Sequence, residues 1–271
     1  MTALLYKAWA FIKRDYRIES GYKTSFLMRL AESLVLLFFF YFLGGLINSQ
    51  SAGALNRFGG HYFPFAVVGL AFARFFDLTL RTFSESIRLA QVTGCLEAML
   101  SSQTHCVTIV LFSSLYGVIS GALQLCLIFL AGAFLFGVNF GMMNVPATLL
   151  VVLLSIAIFV ALGVLSASAI VLLKKGDPIT WILGGVGSIV GGAYFPVDVM
   201  PVPLQRLSAV IPIRYSLDAL RLTMLKGYSV AMITRPLITL TFIAAVLLPL
   251  SLILFAATIR KGRKEGTLME Y

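Results

Sequence analysis

The chain has 271 residues, 59% of them hydrophobic and 12% charged, with a mean hydropathy of +0.96 and a formal net charge of +10. A soluble domain cannot hide that much apolar surface, and no Asp, Glu, Lys or Arg occurs between Glu97 and Lys174, so the chain reads as an all-α polytopic membrane protein. The positive charge reports orientation in a bilayer and not a nucleic-acid footprint, because no basic patch interleaved with base-stacking aromatics lies outside the apolar stretches.

The N-terminus, MTALLYKAWAFIKRDYR, lacks an apolar core ending in a small-residue cleavage site and does not look like a removable signal peptide. Residues 2–19, within an interfacial segment 1–24, read as a helix lying on the membrane surface. Leu5, Ala8, Trp9, Ile12 and Tyr16 share one face, and Lys7, Arg14 and Arg17 lie largely opposite. The alternative is an amphipathic helix packed on protein.

Six crossings follow at about twenty apolar residues each. The first covers about Ser25–Ile47 and the second about Tyr62–Phe83. Arg29 and Glu32 lie near the start of the first, and Arg74 and Asp77 in the matching half of the second. Charges at that depth must pair or reach water. A structural ion-pair network joining the two helices is the favoured expectation, with a relay role or snorkelling as alternatives.

The segment 84–105 leaves the membrane: Glu85 and Arg88 extend the second helix, then Gly94 breaks it. A short helix follows, with Leu96, Met99 and Leu100 on one side and Glu97 beside them. Such an apolar knob suits insertion into a groove on a partner, although a plain interfacial loop helix fits equally well.

The third crossing falls within Val107–Phe136 and the fourth within Pro146–Leu173, both long enough to tilt. Cys95, Cys106 and Cys126 have no metal-like spacing and read as small buried hydrophobes. In KKGDP, residues 174–178, two lysines meet the end of the fourth helix, Gly176 stops it, and Asp177 with Pro178 starts the next. The fifth crossing, about Ile179–Phe195, is short, and its stripe of Gly184, Ser188 and Gly191/Gly192 invites close helix approach.

From Pro196 to Tyr228 the chain is too broken and charged to cross a bilayer, yet too regular for a loose loop. Two short helices fit, around Val202–Ile211 and from about Ile213 to Lys226. On the second, Arg214, Asp218 and Arg221 share a face, so the Asp can pair with either Arg. A surface loop and a partly re-entrant hairpin at one membrane face are both compatible with this. The sixth crossing is about Pro236–Ile259. Basic residues gather in the N-terminal segment, at Lys174-Lys175 and in the tail, so both termini are expected to be cytoplasmic and the 196–228 hairpin external. The five basic side chains of that hairpin region count against this orientation.

Two stretches together resemble the type-2 ABC exporter permeases. In the cytoplasmic motif, roughly G-T-L-E-x-L-L-x-S-P, Gly94, Leu96, Glu97, Leu100 and Ser102 match, while Cys95, Met99 and Gln103 depart. In the external motif, roughly G-x-x-F-P, then P, then N-P-x-x-Y-x-x-D-x-x-R, Gly192, Phe195, Pro196, Pro201, Pro212, Tyr215, Asp218 and Arg221 match, with Ile211 in place of Asn. The resemblance implies one transmembrane domain over 1–271 that works as a homodimer in a plasma (bacterial inner) membrane. Gly94, Leu96, Glu97, Met99 and Leu100 would form a helix coupled to a separate ATPase, two copies per complex. An external gate would be built from Tyr194, Phe195, Pro196, Pro212, Arg214, Tyr215, Asp218 and Arg221. No G-x-x-x-x-G-K-[ST] occurs, so ATP and Mg would be bound by the partner subunits and no cofactor by this chain. The expected cargo is amphipathic: a drug, a lipid or a lipid-linked glycan. The rival readings are an ion-gradient-driven transporter or channel, an intramembrane enzyme and a non-transporting scaffold. Against an enzyme, His61 and His105 are the only histidines and neither H-E-x-x-H nor G-x-S-x-G occurs.

Overall fold

The computed structural model describes residues 2–21, 23–46, 52–173 and 177–265. Regular structure within them is helical: α1 (Thr2–Ser20), α2 (Lys23–Leu46), α3 (Ala52–Leu55), α4 (Tyr62–Val92), α5 (Cys95–Ser101), α6 (Cys106–Phe136), α7 (Val145–Leu173), α8 (Pro178–Thr180), α9 (Gly187–Val190), α10 (Val202–Ser208), α11 (Pro212–Leu225) and α12 (Thr234–Glu265). A π-helical stretch, Trp181–Val186, joins α8 to α9 and completes one short apolar rod over Pro178–Val190.

Five helices are long and apolar enough to cross a membrane: Leu27–Leu46 in α2, then α4, α6, α7 and Thr234–Lys264 in α12. The rod at the expected fifth crossing is shorter than these because its helix stops at Gly191. The 31 residues of α4 rise about 46 Å, more than the ~30 Å hydrocarbon layer, so this helix overreaches the bilayer.

α4 is the hub. Its apolar window is 72% buried, against 17–22% for α2, α6 and α12, which therefore form the periphery. Its Phe72, Phe75 and Phe76 surround Phe159 of α7, with ring centroids 5.2, 5.9 and 4.5 Å away in tilted contacts that favour aromatic pairs. Outer faces stay apolar, as lipid contact requires; Phe38, Phe39 and Phe42 of α2 are exposed. The cysteines depart from expectation: Cys95 and Cys126 are exposed and Cys106 is half-buried, because each lies on the outward side of its helix.

A second core closes one end of the bundle. It joins Phe83 and Ile87 of α4, Leu96 and Leu100 of α5, Ile109 of α6, Val171 of α7 and Phe255 of α12. Helices α1 and α12 are both tied to this end of the bundle. Lys7 of α1 donates to Thr104 Oγ1 at 2.8 Å, and Arg263 of α12 donates to Leu100 O at 2.6 Å.

Of the KKGDP turn, Lys174, Lys175 and Gly176 lie outside the described residues. Asp177 caps α8, accepting from Thr180 N at 3.0 Å and from Ser166 Oγ of α7 at 2.5 Å. Burial pushes its carboxyl up, but hydrogen bonds from Ser166, Ser84 and Thr180 together outweigh this and hold it below the usual carboxylate range. A carboxylate with a depressed folded pKa stabilises above its unfolded value, near pH 4, and loses that contribution as pH falls through the folded value. In a thermal-unfolding series, the deficit of Asp177→Asn relative to wild type is expected to be full at neutral pH and to close in acid.

Candidate functional site

At the end of the bundle opposite α5, the rod stops and the chain turns through Gly191–Tyr194. A helix ending inside a protein leaves carbonyl groups without partners, and at membrane depth these are costly. Here three consecutive carbonyls each receive a side-chain donor. Arg221 of α11 donates Nη1 to Gly192 O at 2.9 Å and Nη2 to Ala193 O at 2.8 Å, and Tyr62 of α4 donates its hydroxyl to Tyr194 O at 3.2 Å. The Arg221 guanidinium is buried and lies over the Phe65 ring, 3.4 Å from its centroid.

The close approach needs Gly69. A Cβ there would sit 1.7 Å from Ala193 O and 2.5 Å from Arg221 Nη2. Gly69→Ala is therefore expected to abolish monodisperse protein on detergent gel filtration. Gly45→Ala, whose Cβ would meet nothing within 4 Å, is expected to run as wild type.

Spacing suggested that Asp218 pairs with Arg214 or Arg221. Among the described residues neither ion pair forms, because both arginines are engaged elsewhere. Arg221 is turned into the core, and Arg214 donates to Gln205 O of α10 at 3.3 Å. Asp218 sits in the field of Arg221, Arg57 and Arg214 without direct contact. The Tyr215 hydroxyl donates to Ala209 O at 2.8 Å, so α11 is tied twice to the end of α10. α10 itself ends at Ser208, short of the expected Ile211, and Pro212 opens α11 at a position where its missing N–H costs nothing. Tyr194 is half-buried, stacked on Phe40 at 5.5 Å and 6°. Pro196 is buried. Phe195, 44% exposed, is the candidate gate residue whose ring is free to meet a solute.

At the α5 end, Thr93 closes α4 and Gly94, at φ +69° in the left-handed region, opens α5, so the two helices are joined by only two residues. The expected apolar knob is not displayed. Leu96 and Leu100 are 2% and 7% exposed and packed into the second core, while Met99 is half-buried. A helix lying flat on a bundle turns its apolar stripe inward, so the face left for a partner is Gly94, Cys95, Glu97 and Ala98, all exposed.

The four expected membrane charges do not form one network. Arg74 Nη2 meets Glu32 Oε1 at 2.5 Å, linking α4 to α2. Arg29 instead pairs with Glu19 of α1. Asp77 accepts from Arg81 Nε at 2.8 Å, one turn along its own helix, which reaches it more readily than α2 does. Gly184, Ser188, Gly191 and Gly192 are buried, with Gly184 against Asp77 and Gly191 against Ile213 of α11. Sequence reasoning missed Tyr62, Gly69 and Gln205; none carries a local signal, because each acts on a backbone distant in the chain.

A family model described as ABC-2 type transporter matches residues 6–225. The match runs from α1 through α11 and so includes both the α5 end and the Arg221 end. A comparison with curated proteins returns no match.

Proposed function

The chain belongs to the ABC-2 type transporter family, and from that premise we propose that it is the transmembrane permease of an ATP-driven exporter. It moves an amphipathic substrate, a drug, lipid or lipid-linked glycan, out of the cytoplasm or inner leaflet. Two copies pair in a plasma (bacterial inner) membrane, each with six crossings, the Pro178–Val190 rod being the short fifth. α1 lies on the cytoplasmic surface and both termini are cytoplasmic. Two separate ATPase subunits bind ATP and Mg.

The observation that carries this reading is how α5 is held. It presents Glu97 outward while Leu96 and Leu100 sink into the core shared with α4, α6, α7 and α12, Arg263 of α12 holds Leu100 O, and Lys7 of α1 holds Thr104 just beyond it. A push on its exposed face is therefore delivered to most of the bundle as one rigid body. At the other end, α10, α11 and the Gly191–Tyr194 turn move together through Arg221, Arg214 and Tyr215 and narrow the exit around Phe195.

Vesicles containing the permease and its co-purifying ATPase are expected to move a fluorescent amphiphile outward only when ATP is supplied. Movement driven by an ion gradient without ATP would replace this reading with a secondary transporter.

A further inference from the structure

Along the α5 half of α4, Arg74, Asp77, Arg81, Glu85 and Arg88 follow at intervals of three and four residues. That spacing sets them on one helix face, with the sign alternating at each step over about 21 Å. Although α4 is the most buried crossing helix, this face is open: Arg81, Glu85 and Arg88 are exposed, and Arg74 and Asp77 are half-buried. Arg74, Asp77 and Arg81 lie within the expected second crossing, where charge is costly against lipid tails, so that part of the face meets water or a ligand, and Glu85 and Arg88 carry the row on past the membrane. Its upper charges are already neutralised, Arg74 by Glu32 and Arg81 by Asp77. Among the described residues most of the guanidinium donors nevertheless remain unused. Arg74 engages one Nη, Arg81 only its Nε, and Arg88 makes no hydrogen bond or ion pair among the described residues.

We infer that this face of α4 is a track for the phosphate headgroup of an amphiphile. All three cations are arginines, whose planar fork takes phosphate in a bidentate grip that lysine cannot reproduce. Beside the lower end of the track a cavity of about 1110 Å³ opens between α1, α2, α4, α5 and α6, walled by Leu78, Leu89, Met99 and Ile109 and by charged side chains of α1, α2 and α4, Glu85 and Arg88 among them. A mostly apolar cavity and a row of arginines side by side match the two halves of one lipid. The chain lies in the cavity while the phosphate engages Arg88, then Arg81, then Arg74. The intervening carboxylates keep each stop weak enough to leave, as successive sites along a conduit must be. The direction of travel rests on the export reading; the binding does not.

The test titrates full-length permease in detergent with fluorescent phosphatidylglycerol, phosphatidylcholine and diacylglycerol carrying the same chains. Both phospholipids are expected to bind roughly tenfold tighter than diacylglycerol. Inorganic phosphate is expected not to displace them, having no chain for the cavity. Arg81→Gln is expected to remove the preference, and Arg81→Lys, which keeps charge without the fork, to restore only part of it. Equal binding of diacylglycerol overturns the proposal, as does displacement by inorganic phosphate alone. A preference that survives Arg81→Gln combined with Arg88→Gln also overturns it. So does an Arg81→Gln variant that loses dimer on sizing but keeps its lipid preference, since the face would then be a seam between copies. ATPase capture in the same preparations is scored separately: a permease that captures its ATPase without the preference refutes the track and leaves the export reading standing.

Discussion

Arg221→Met is expected to cost the folded permease roughly 2–6 kcal/mol, because it orphans two buried carbonyls at about 1–3 kcal/mol each. Methionine fills the space over Phe65 but donates nothing to Gly192 O or Ala193 O. The wild-type side chain donates to both carbonyls with one planar group. Arg221→Lys supplies a single ammonium and is expected to recover less than half of the loss. Thermal unfolding in detergent reads the effect as a midpoint lowered by roughly 5–15 °C for Arg221→Met, with a smaller drop for lysine. Equal midpoints for all three proteins would mean that the break after Gly191 is held by something other than Arg221.

Leu96→Asp and Glu97→Ala, one residue apart, are expected to fail in different ways. Leu96 is 2% exposed, packed with Phe83, Ile109 and Phe255, so an aspartate there places an unpaired charge in the second core. Loss of the leucine alone costs about 2–5 kcal/mol, and the buried charge adds to it. Leu96→Asp should therefore yield little folded permease. Glu97 is exposed and supports no internal contact among the described residues, so Glu97→Ala should fold as wild type. Its expected deficit is in ATPase capture, roughly tenfold, as for truncation of a charged contact at an interface. Similar folded yields for the two variants would contradict the inward packing of α5.

Much of this organisation was legible in the sequence because membrane helices are written in long apolar runs. Their limits, Tyr62, Phe136 and Leu173 among them, fall where the expected crossings end. The two motif stretches were also visible, since Gly94, Pro196 and Pro212 punctuate them. Hydrophobic periodicity reports that Leu96 and Leu100 share a face, but not whether that face meets a partner or the chain's own core. Burial settles it for the core. Spacing likewise placed Asp218 within reach of two arginines, but the backbone carbonyls that compete for Arg221 come from residues 28 and 29 positions away. The same blindness to distant backbone hid Gly69 and Tyr62. The rod's shortness follows from Gly191 and Gly192, which the sequence displays, while its π-helical turn has no visible signature.

The most direct test of the central claim is to capture the tagged full-length chain from its native membranes in mild detergent and identify the bound proteins by mass. An ABC ATPase in a one-to-one ratio with the permease, depleted roughly tenfold by Glu97→Ala, is the expected result. Absence of any ATPase, or identical partners for wild type and Glu97→Ala, would contradict the assignment of α5 as the coupling element.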